Sequence, residues 1–261
     1  MTGTSRFSRR TVAVAALSLM AAAVGAQPAP ARALPAAASL LARHDSLIGG
    51  RSALASHESS HIVGALTIPM AGIEAPFEIL RRRPNSYLLR TSLGAVGEIL
   101  QGFDGTTAWA TGPGQPPQIL DGALREQVVT QADFFADFHD LTKIASMQTV
   151  AEVEFEGRRC YEVRLRRLNG TEVTEYFDVR TGLSAGGVST ADGPLGKEKQ
   201  VSVHSDYREF NGIQFATRIV QRNPQYDIIL TIQQVEFDTV DSAAVALPAS
   251  VKALLVPAVP K

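Results

Sequence analysis

The chain has 261 residues, one cysteine and a formal net charge of −1. The single cysteine, Cys160, excludes a disulfide framework within one chain, and the absence of a cysteine near the predicted cleavage region excludes lipid attachment there. Loss of residues 1–26 would remove three arginines and no acid, which shifts the net charge from −1 to −4. A mildly acidic chain lacks the attraction for phosphate backbones that nucleic-acid binders need, so we expect no nucleic-acid partner.

Residues 1–26 have the pattern of a secretory signal peptide. Three arginines precede an apolar run over residues 12–24, and small residues at 24–26 provide a cleavage site. As a helix this run would be about 20 Å long, too short for a bilayer core of roughly 30 Å. We therefore predict a cleaved signal peptide, with an alternative end at residue 33, and no transmembrane segment in the mature chain. The mature protein is expected in the periplasm or outside the cell, by the ordinary or, given Arg9-Arg10, the twin-arginine route.

Residues 27–34 are rich in proline and alanine and are predicted to be a linker, followed by a single domain over residues 35–261. The domain opens with a predicted helix that begins at Pro35 and ends at Gly49-Gly50. Proline in the first turn and glycine past the last turn is the usual order of helix signals. The apolar face of this helix carries Leu40, Leu41, His44, Leu47 and Ile48.

His44-Asp45 in this helix is a pair of residue types that occurs in metal sites. No partner histidines follow at ligand spacing, and His44 lies on the apolar face of the helix. We therefore interpret His44 as a packed or half-buried histidine. The sequence predicts no metal site and no cofactor.

After this helix the apolar period changes from 3.6 residues to two, which indicates antiparallel strands with one apolar and one polar face. The alternation is clear over residues 73–79, resumes near residue 148 and continues to residue 237. Asn169-Gly170 and Asn211-Gly212 are the residue pairs that type I′ turns require, so both predict hairpins of that type.

The strand pattern is interrupted by a predicted helix from Asp121 to about Phe138, with Asp121 as its cap. Because the inner face of a large open sheet needs a cover, we expect this helix to lie on it. The predicted fold class is mainly β with two or three helices (α+β): a curved antiparallel sheet forming an unclosed half-barrel with helices over its concave face. The apolar side of the mid-chain helix carries Leu124, Val128, Val129, Ala132 and Phe135.

A cavity between this helix and the sheet is the candidate ligand site. Three phenylalanines cluster at the end of the helix, and alternation from Ile99 and Phe103 places Trp109, the only tryptophan, on the apolar side of its strand. The predicted cavity-lining residues are Phe77, Ile79, Tyr87, Leu89, Ile99, Phe103, Trp109, Phe134, Phe135 and Phe138.

Familiar catalytic motifs do not occur in the sequence, which has no G-x-S-x-G nucleophile elbow, no P-loop and no G-x-G-x-x-G after a strand. Of five histidines, His57 and His61 have the spacing of a metal pair but straddle a serine-rich loop that enters a strand. Cys160 is interpreted as a small packing residue. No catalytic residue is predicted.

Arg81-Arg82-Arg83 is the densest charge on the chain. We interpret it as a solvated strand end, where charge protects the edge of a sheet from pairing with another chain. The alternative interpretation is a patch for anionic head groups or for a partner protein.

Four segments resemble exported bacterial proteins of the LolA/LolB-like superfamily, the outer-membrane lipoprotein-sorting type. They are HDSLIGG at 44–50, GFDGTTAW at 102–109, YFDVRTGL at 176–183 and DYREFNGI at 206–213. These are turn-and-strand signatures, and the resemblance covers about residues 36–255. It implies an unclosed barrel with a helical lid, whose apolar cavity takes acyl chains and carries lipoproteins across the periplasm.

We therefore expect a non-catalytic binding or carrier protein for a lipid, a lipoprotein acyl chain or another apolar ligand of the cell envelope. Burial of apolar surface stabilises by ~25 cal/mol per Å², so an acyl chain can be held without a specific polar site. One alternative is a structural scaffold with a filled core that interacts with an envelope protein partner. Another is a hydrolase whose catalytic groups come together from distant strands.

Overall fold

The computed structural model describes Met1 and residues 33–193 and 196–255, so the predicted signal peptide and most of the predicted linker lie outside the described residues. Within these ranges the strands are β1 (Ser59–Ile68), β2 (Ile73–Arg82), β3 (Ser86–Ser92), β4 (Glu98–Phe103), β5 (Ala108–Gly112), β6 (Gln115–Ile119), β7 (Ile144–Phe155), β8 (Arg158–Arg167), β9 (Glu172–Asp178), β10 (Ser184–Gly193), β11 (Gly196–Phe210), β12 (Ile213–Arg222) and β13 (Asp227–Phe237). They form one 13-stranded sheet in the order β6-β5-β4-β3-β2-β1-β13-β12-β11-β10-β9-β8-β7.

The sheet is antiparallel. It is unclosed because its two edge strands, β6 and β7, are not paired with each other in the described chain. Consecutive strands are neighbours in two runs, β1 to β6 and β7 to β13, and β1 pairs with β13 in the middle. The chain between β6 and β7 must therefore pass from one edge of the sheet to the other. This architecture confirms the predicted fold class, a mainly β half-barrel with few helices.

The helices are α1 (Ala37–Leu47), α2 (Arg51–Ala55), α3 (Gly122–Ala132) and α4 (Ala249–Leu255). α1 is followed by Gly49 and Gly50, both with positive φ, which confirms the predicted end of the first helix. Leu40 and Leu41 of α1 are buried against Val163 of β8 and Phe177 of β9. Among the described residues no helix has the length and apolar character needed to cross a membrane.

The two faces of the sheet are covered by different parts of the chain. The concave face bears Phe77 and is covered by α2 and the segment after α3, by α3 itself and by α1. The outer face bears Leu80 and Leu88, which pack against Val251 of α4 and the residues before it. Because side chains alternate along each strand, β2 contributes to both apolar clusters.

α3 packs on the concave face beside β3, β4 and β5, where Val128 and Ala132 are buried. Three details of the predicted helix are wrong. The helix ends at Ala132 and not near Phe138, because Asp133 has an extended backbone and its carboxylate accepts the N–H of Phe135 in a turn. The carboxylate of Asp121 makes no capping hydrogen bond, because the first helical residue, Gly122, has a φ of 52° and the backbone departs from ordinary cap geometry. Leu124 is 58% exposed, since the helix turns only a narrow stripe toward the sheet.

One of the two predicted type I′ hairpins is confirmed. Asn211 and Gly212 both have positive φ, at 49° and 79°, as that turn requires. The prediction for Asn169-Gly170 is wrong. The N–H of Arg167 donates to the carbonyl of Thr171 across a three-residue loop, and in such a loop only one residue, here Gly170 at a φ of 86°, needs the left-handed conformation.

Candidate functional site

A cavity of about 1200 Å³ lies between the concave face and the segment that follows α3. We call residues 133–140 the lid, because Phe134 and Phe138 in this segment pack onto the main apolar cluster of the sheet. The apolar wall of the cavity comes from the lid and from β1, β2, β12 and β13. The apolar strand residues of this wall are Ile62, Ile79, Ile213, Phe215, Ala216, Ile219, Ile228, Ile232 and Phe237.

The opposite wall of the cavity is polar, and strand register explains the division. A row of directly paired residues crosses the sheet from Glu175 through Gly187, Ser202 and Gln221 to Ile228. Residues in such a row share a face, so the wall changes from polar to apolar between β11 and β13. The polar side chains of β9, β10 and β11 are Glu175, Ser184, Ser189, Gln200, Ser202 and His204.

Ser184 is the centre of the polar wall. Its N–H donates to Nδ1 of His44 at 3.2 Å, and its carbonyl accepts a hydrogen bond from the Tyr207 hydroxyl at 3.0 Å. Its Oγ lies 3.3 Å from Nδ1 of His204, whose Nε2 lies 2.9 Å from Oγ of Ser202. Burial lowers the pKa of His204, so a neutral imidazole joins the two serine hydroxyls.

His44 is a neutral imidazole with a fixed tautomer. It is 6% exposed, and burial, together with the charge of nearby His139, lowers its pKa to about 4. Because Nδ1 accepts the N–H of Ser184, the ring proton is on Nε2. Within the described residues this Nε2–H makes no hydrogen bond, and His44 is part of the cavity wall.

His139 ties the lid to both flanking elements. Its Nδ1 lies 2.6 Å from Oδ1 of Asp45 in α1, and its Nε2 lies 2.9 Å from Oε2 of Glu175 in β9. Burial alone would lower the pKa of His139, but the hydrogen bonds to Asp45 and Glu175 outweigh it and raise the pKa to about 9. An imidazolium between two carboxylates therefore holds the lid near neutral pH.

Two arginines also hold the lid region. Arg81 of β2 donates from Nε to the carbonyl of Gln131 at 3.1 Å, and its Nη1 lies 3.5 Å from Oδ2 of Asp137. The guanidinium of Arg51 lies over the ring of Phe135, 4.3 Å from its centroid, which is the geometry of a cation–π contact. The lid is thus anchored by charged groups at both ends and by a stacked ring between them.

The structure brings some of the predicted cavity residues together and separates others. Phe77 and Leu89 pack in the apolar cluster next to the cavity, whereas Tyr87 and Phe103 are buried beneath α3. Ile99 is 44% exposed and is not part of the cavity wall. The predicted residues that line the cavity are Ile79, Phe134, Phe135 and Phe138; their role in ligand binding stays a prediction.

The structure corrects the position of Trp109, which was expected in the cavity. Trp109 is 2% exposed and packs on the outer face with residues of the C-terminal segment. Phe103 pairs directly with Ala108, so Trp109 pairs with Gly102. The prediction continued the alternation of β4 through the hairpin loop, which would place residues 103 and 109 on the same face. In the structure residues 103 and 108 share a face, and this shift of one residue moves Trp109 to the other face of the sheet.

Arg81-Arg82-Arg83 anchors three different segments, so the prediction of a solvated strand end is wrong. Arg81 holds the lid region, Arg82 donates to the carbonyl of Val240 at 3.0 Å, and Arg83 donates to the carbonyl of Ala55 at 3.0 Å. Because Arg81 and Arg82 are successive residues of a strand, they reach opposite faces of the sheet.

The contacts of Cys160 and His57 indicate that both residues have packing roles. Cys160 is fully buried, and burial raises the pKa of its thiol to about 11. His57 stacks on Phe237 and lies 2.7 Å from a carboxylate oxygen of Asp238. Among residues 33–193 and 196–255 there is no group of three or more His, Cys, Asp or Glu side chains arranged to hold a metal ion.

The polar wall was not predicted from the sequence. Its residues belong to α1, the lid, β9, β10 and β11, and only the register of the folded sheet brings them together. One signal was present: Gln200, Ser202 and His204 alternate with Val201 and Val203. A regular alternation of this kind indicates that one face of the strand is polar.

Two solved structures are similar to this chain in fold. A DUF1329 family protein from Desulfovibrio piger has a TM-score of 0.58 at 11% identity, with 80% of this chain and 97% of that chain covered. A LolA superfamily protein from Nitrosomonas europaea has a TM-score of 0.56 at 12% identity, with 82% and 99% covered. No model of a known protein family and no curated protein matches the sequence. The chain therefore has a LolA-like fold, and a fold does not by itself identify a function.

Proposed function

We propose that this protein is a non-catalytic periplasmic carrier that holds a lipid or another apolar ligand in the cavity under the lid. The observation that carries the proposal is the cavity of about 1200 Å³, which exceeds the ~300–1,000 Å³ of pockets that take small organic ligands. Its apolar wall spans four strands and the lid. An acyl chain placed there would be stabilised by ~25 cal/mol for each Å² of apolar surface that it removes from water.

The open volume supports a carrier over a scaffold with a filled core. Protein interiors pack as densely as organic crystals and contain few voids larger than a water molecule. The side chains of a filled core would occupy the space between the lid and the sheet. The LolA-like fold agrees with this proposal, and a lipoprotein acyl chain is the ligand that the sequence resemblance implies.

The polar wall supports binding over hydrolysis. Ser202 and His204, 2.9 Å apart, are arranged like a nucleophile and its base. In nucleophilic catalysis the base is oriented by a carboxylate on its other nitrogen. Here that nitrogen of His204 faces the hydroxyl of Ser184 at 3.3 Å.

Native mass spectrometry and dye binding test the proposal. Protein purified from periplasm without detergent should carry lipid, and the delipidated protein should bind an apolar fluorescent dye. Phe135→Asp should weaken dye binding at least about tenfold, because it replaces an apolar ring of the cavity wall with a charged group that can pair with Arg51. Leu124→Asp introduces the same charge at a residue that is 58% exposed on α3 and should bind dye like the wild type. Absence of both lipid and dye, or equal loss in the two variants, would contradict the proposal.

A further inference from the structure

We propose that the cavity binds an amphiphile in one orientation, with a neutral, hydroxyl-bearing head group on Ser184, Ser202 and His204 and its alkyl chain under the lid. This inference rests on the proposed function, since it requires that the cavity takes a ligand. It adds the chemical class of that ligand and the wall on which each end lies.

The division of the cavity into two walls is the first argument. Glu175, Ser184, Ser202 and His204 lie on β9, β10 and β11, and most of the apolar side chains lie on β1, β2, β12, β13 and the lid. The exceptions on these strands include Val173 on the polar wall and Ser60, Arg81 and Gln221 on the apolar wall. A ligand made only of alkyl chain would remove water from the polar wall and leave its groups unpaired, which is unfavourable. A ligand with an apolar and a polar end matches both walls.

The hydrogen-bonding capacity of the polar wall is the second argument. Neutral His204 has one donor and one acceptor nitrogen, and each lies next to a serine Oγ. Whichever tautomer is present, one serine donates to the ring, and the other accepts from it and keeps its own hydrogen for a further bond. His44 supplies a second donor, because its Nε2–H makes no hydrogen bond in the described chain. Two free donors suit the oxygen atoms of a hydroxyl or an ester.

The charges around the polar wall are the third argument. Asp45 and Glu175 share the single positive charge of His139, so this group has one negative charge in excess. Glu175 lies in the same row as Ser202, across Gly187, and it would repel an anionic head group. A cationic head group would compete with His139 for the same carboxylate.

Arg158 does not turn the polar wall into an anion-binding site. Its guanidinium donates to the carbonyl of Ala185 at 2.8 Å, and it is not part of the cavity wall. Its charge acts on His204 in the direction that lowers the pKa of the imidazole. Three other cations line the cavity, but Arg81 and Lys143 are paired with Asp137 and Asp133, and Arg167 lies at the end of β8, beyond the polar wall. Ser184, Ser202 and His204 thus offer neutral donors and acceptors, which favours an uncharged head group.

Displacement of the bound apolar dye tests this inference with three amphiphiles that have the same alkyl length. They are monododecanoylglycerol, dodecanoate and dodecyltrimethylammonium, each below its micelle concentration at slightly alkaline pH. The neutral glyceride should displace the dye at the lowest concentration. Ser202→Ala should weaken its binding about five- to tenfold, the effect of one or two hydrogen bonds, and His204→Phe should do the same. Neither variant should change the affinity for the dye, which checks that the cavity is intact.

Ser205→Ala is the matched control, because Ser205 lies on the same strand and is not part of the cavity wall; it should behave like the wild type. If the dye binds but the three amphiphiles displace it equally, or if the anion or the cation binds best, the head-group proposal is overturned and the carrier proposal stands. If the wild type binds neither dye nor amphiphile, both proposals are overturned.

Discussion

His44 and His139 lie edge to face with their ring centroids 5.7 Å apart, yet near neutral pH His44 is neutral and His139 is positively charged. Burial lowers the pKa of both imidazoles and is the main cause of the low pKa of His44. Only His139 has carboxylates at both ring nitrogens, and their hydrogen bonds outweigh its burial. Hydrogen bonds to the neutral form of a base lower its pKa, and those to the charged form raise it. The two rings therefore respond to opposite changes of pH.

Deprotonation of His139 should destabilise the protein at alkaline pH. Its pKa of about 9 in the folded chain lies above the ~6.5 of an unfolded histidine. Its contribution to the free energy of unfolding is therefore complete below about pH 6.5 and is lost as the pH rises through about 9. His139→Gln should cost ~3 kcal/mol at neutral pH, because it leaves buried carboxylates unpaired, and should flatten the alkaline decline. Urea unfolding between these pH values checks this, and a variant that keeps the wild-type decline would contradict it.

Protonation of His44 should destabilise the protein at acid pH. Its folded pKa of about 4 lies below the ~6.5 of the unfolded chain, so folding favours the neutral ring. This contribution is complete above about pH 6.5 and is lost as the pH falls toward 4. His44→Gln should therefore show a smaller loss of stability than the wild type over this range in the same unfolding experiment. His61→Gln, outside the cavity wall, serves as the control and should follow the wild type.

Arg81→Met should release the lid. Removing hydrogen bonds from a charged donor costs about 1.5–3 kcal/mol, so lid amides should exchange with solvent at least about tenfold faster in hydrogen-exchange mass spectrometry. Arg82→Met is the matched control on the neighbouring residue. It should leave lid exchange unchanged and accelerate exchange near Val240, its own partner. Equal effects of the two variants on the lid would show that Arg81 does not anchor it.

Trp109 should report on the outer face and not on the cavity. Because its ring is buried beside Val251, its fluorescence should not change when lipid is added to the protein in the absence of dye. Val251→Asp should shift the emission to longer wavelength and increase quenching by acrylamide, since it should loosen the packing of α4 over Trp109. Phe135→Asp should leave both unchanged. A lipid-induced shift in the wild type would place the cavity ligand in contact with the outer face.

Gly102→Ala should destabilise the sheet. A Cβ at this position would lie 2.6 Å from two ring carbons of Trp109, and overpacking of this kind typically costs about 1–3 kcal/mol. Gly112→Ala is the control in β5, because nothing lies within 4 Å of its added Cβ. It should be neutral within about 0.5 kcal/mol in urea unfolding. A neutral Gly102→Ala would mean that the indole can move away.

Much of the fold follows from local patterns, and much of the site does not. Alternation along single strands, such as residues 73–79, depends only on burial of one face, and it predicted the antiparallel sheet. The side of Trp109 depended on the length of one hairpin loop, where a single residue reverses the face. The contact between His139 and Glu175 depends on the chain crossing from edge to edge of the sheet and on the register of β9. Neither leaves a local pattern in the sequence.

The pairing of β1 with β13 joins residues far apart in the chain, such as Ser60 and Phe237. Contacts of this kind form slowly, because the entropy of closing a long loop is lost before the pairing is gained. Each run of hairpins can form from its own neighbours, but the two runs cannot join until the last strand is available. Ile62 of β1 and Ile232 of β13, on either side of this junction, are both in the cavity wall. We therefore expect the cavity to be the last part of the molecule that is completed during folding.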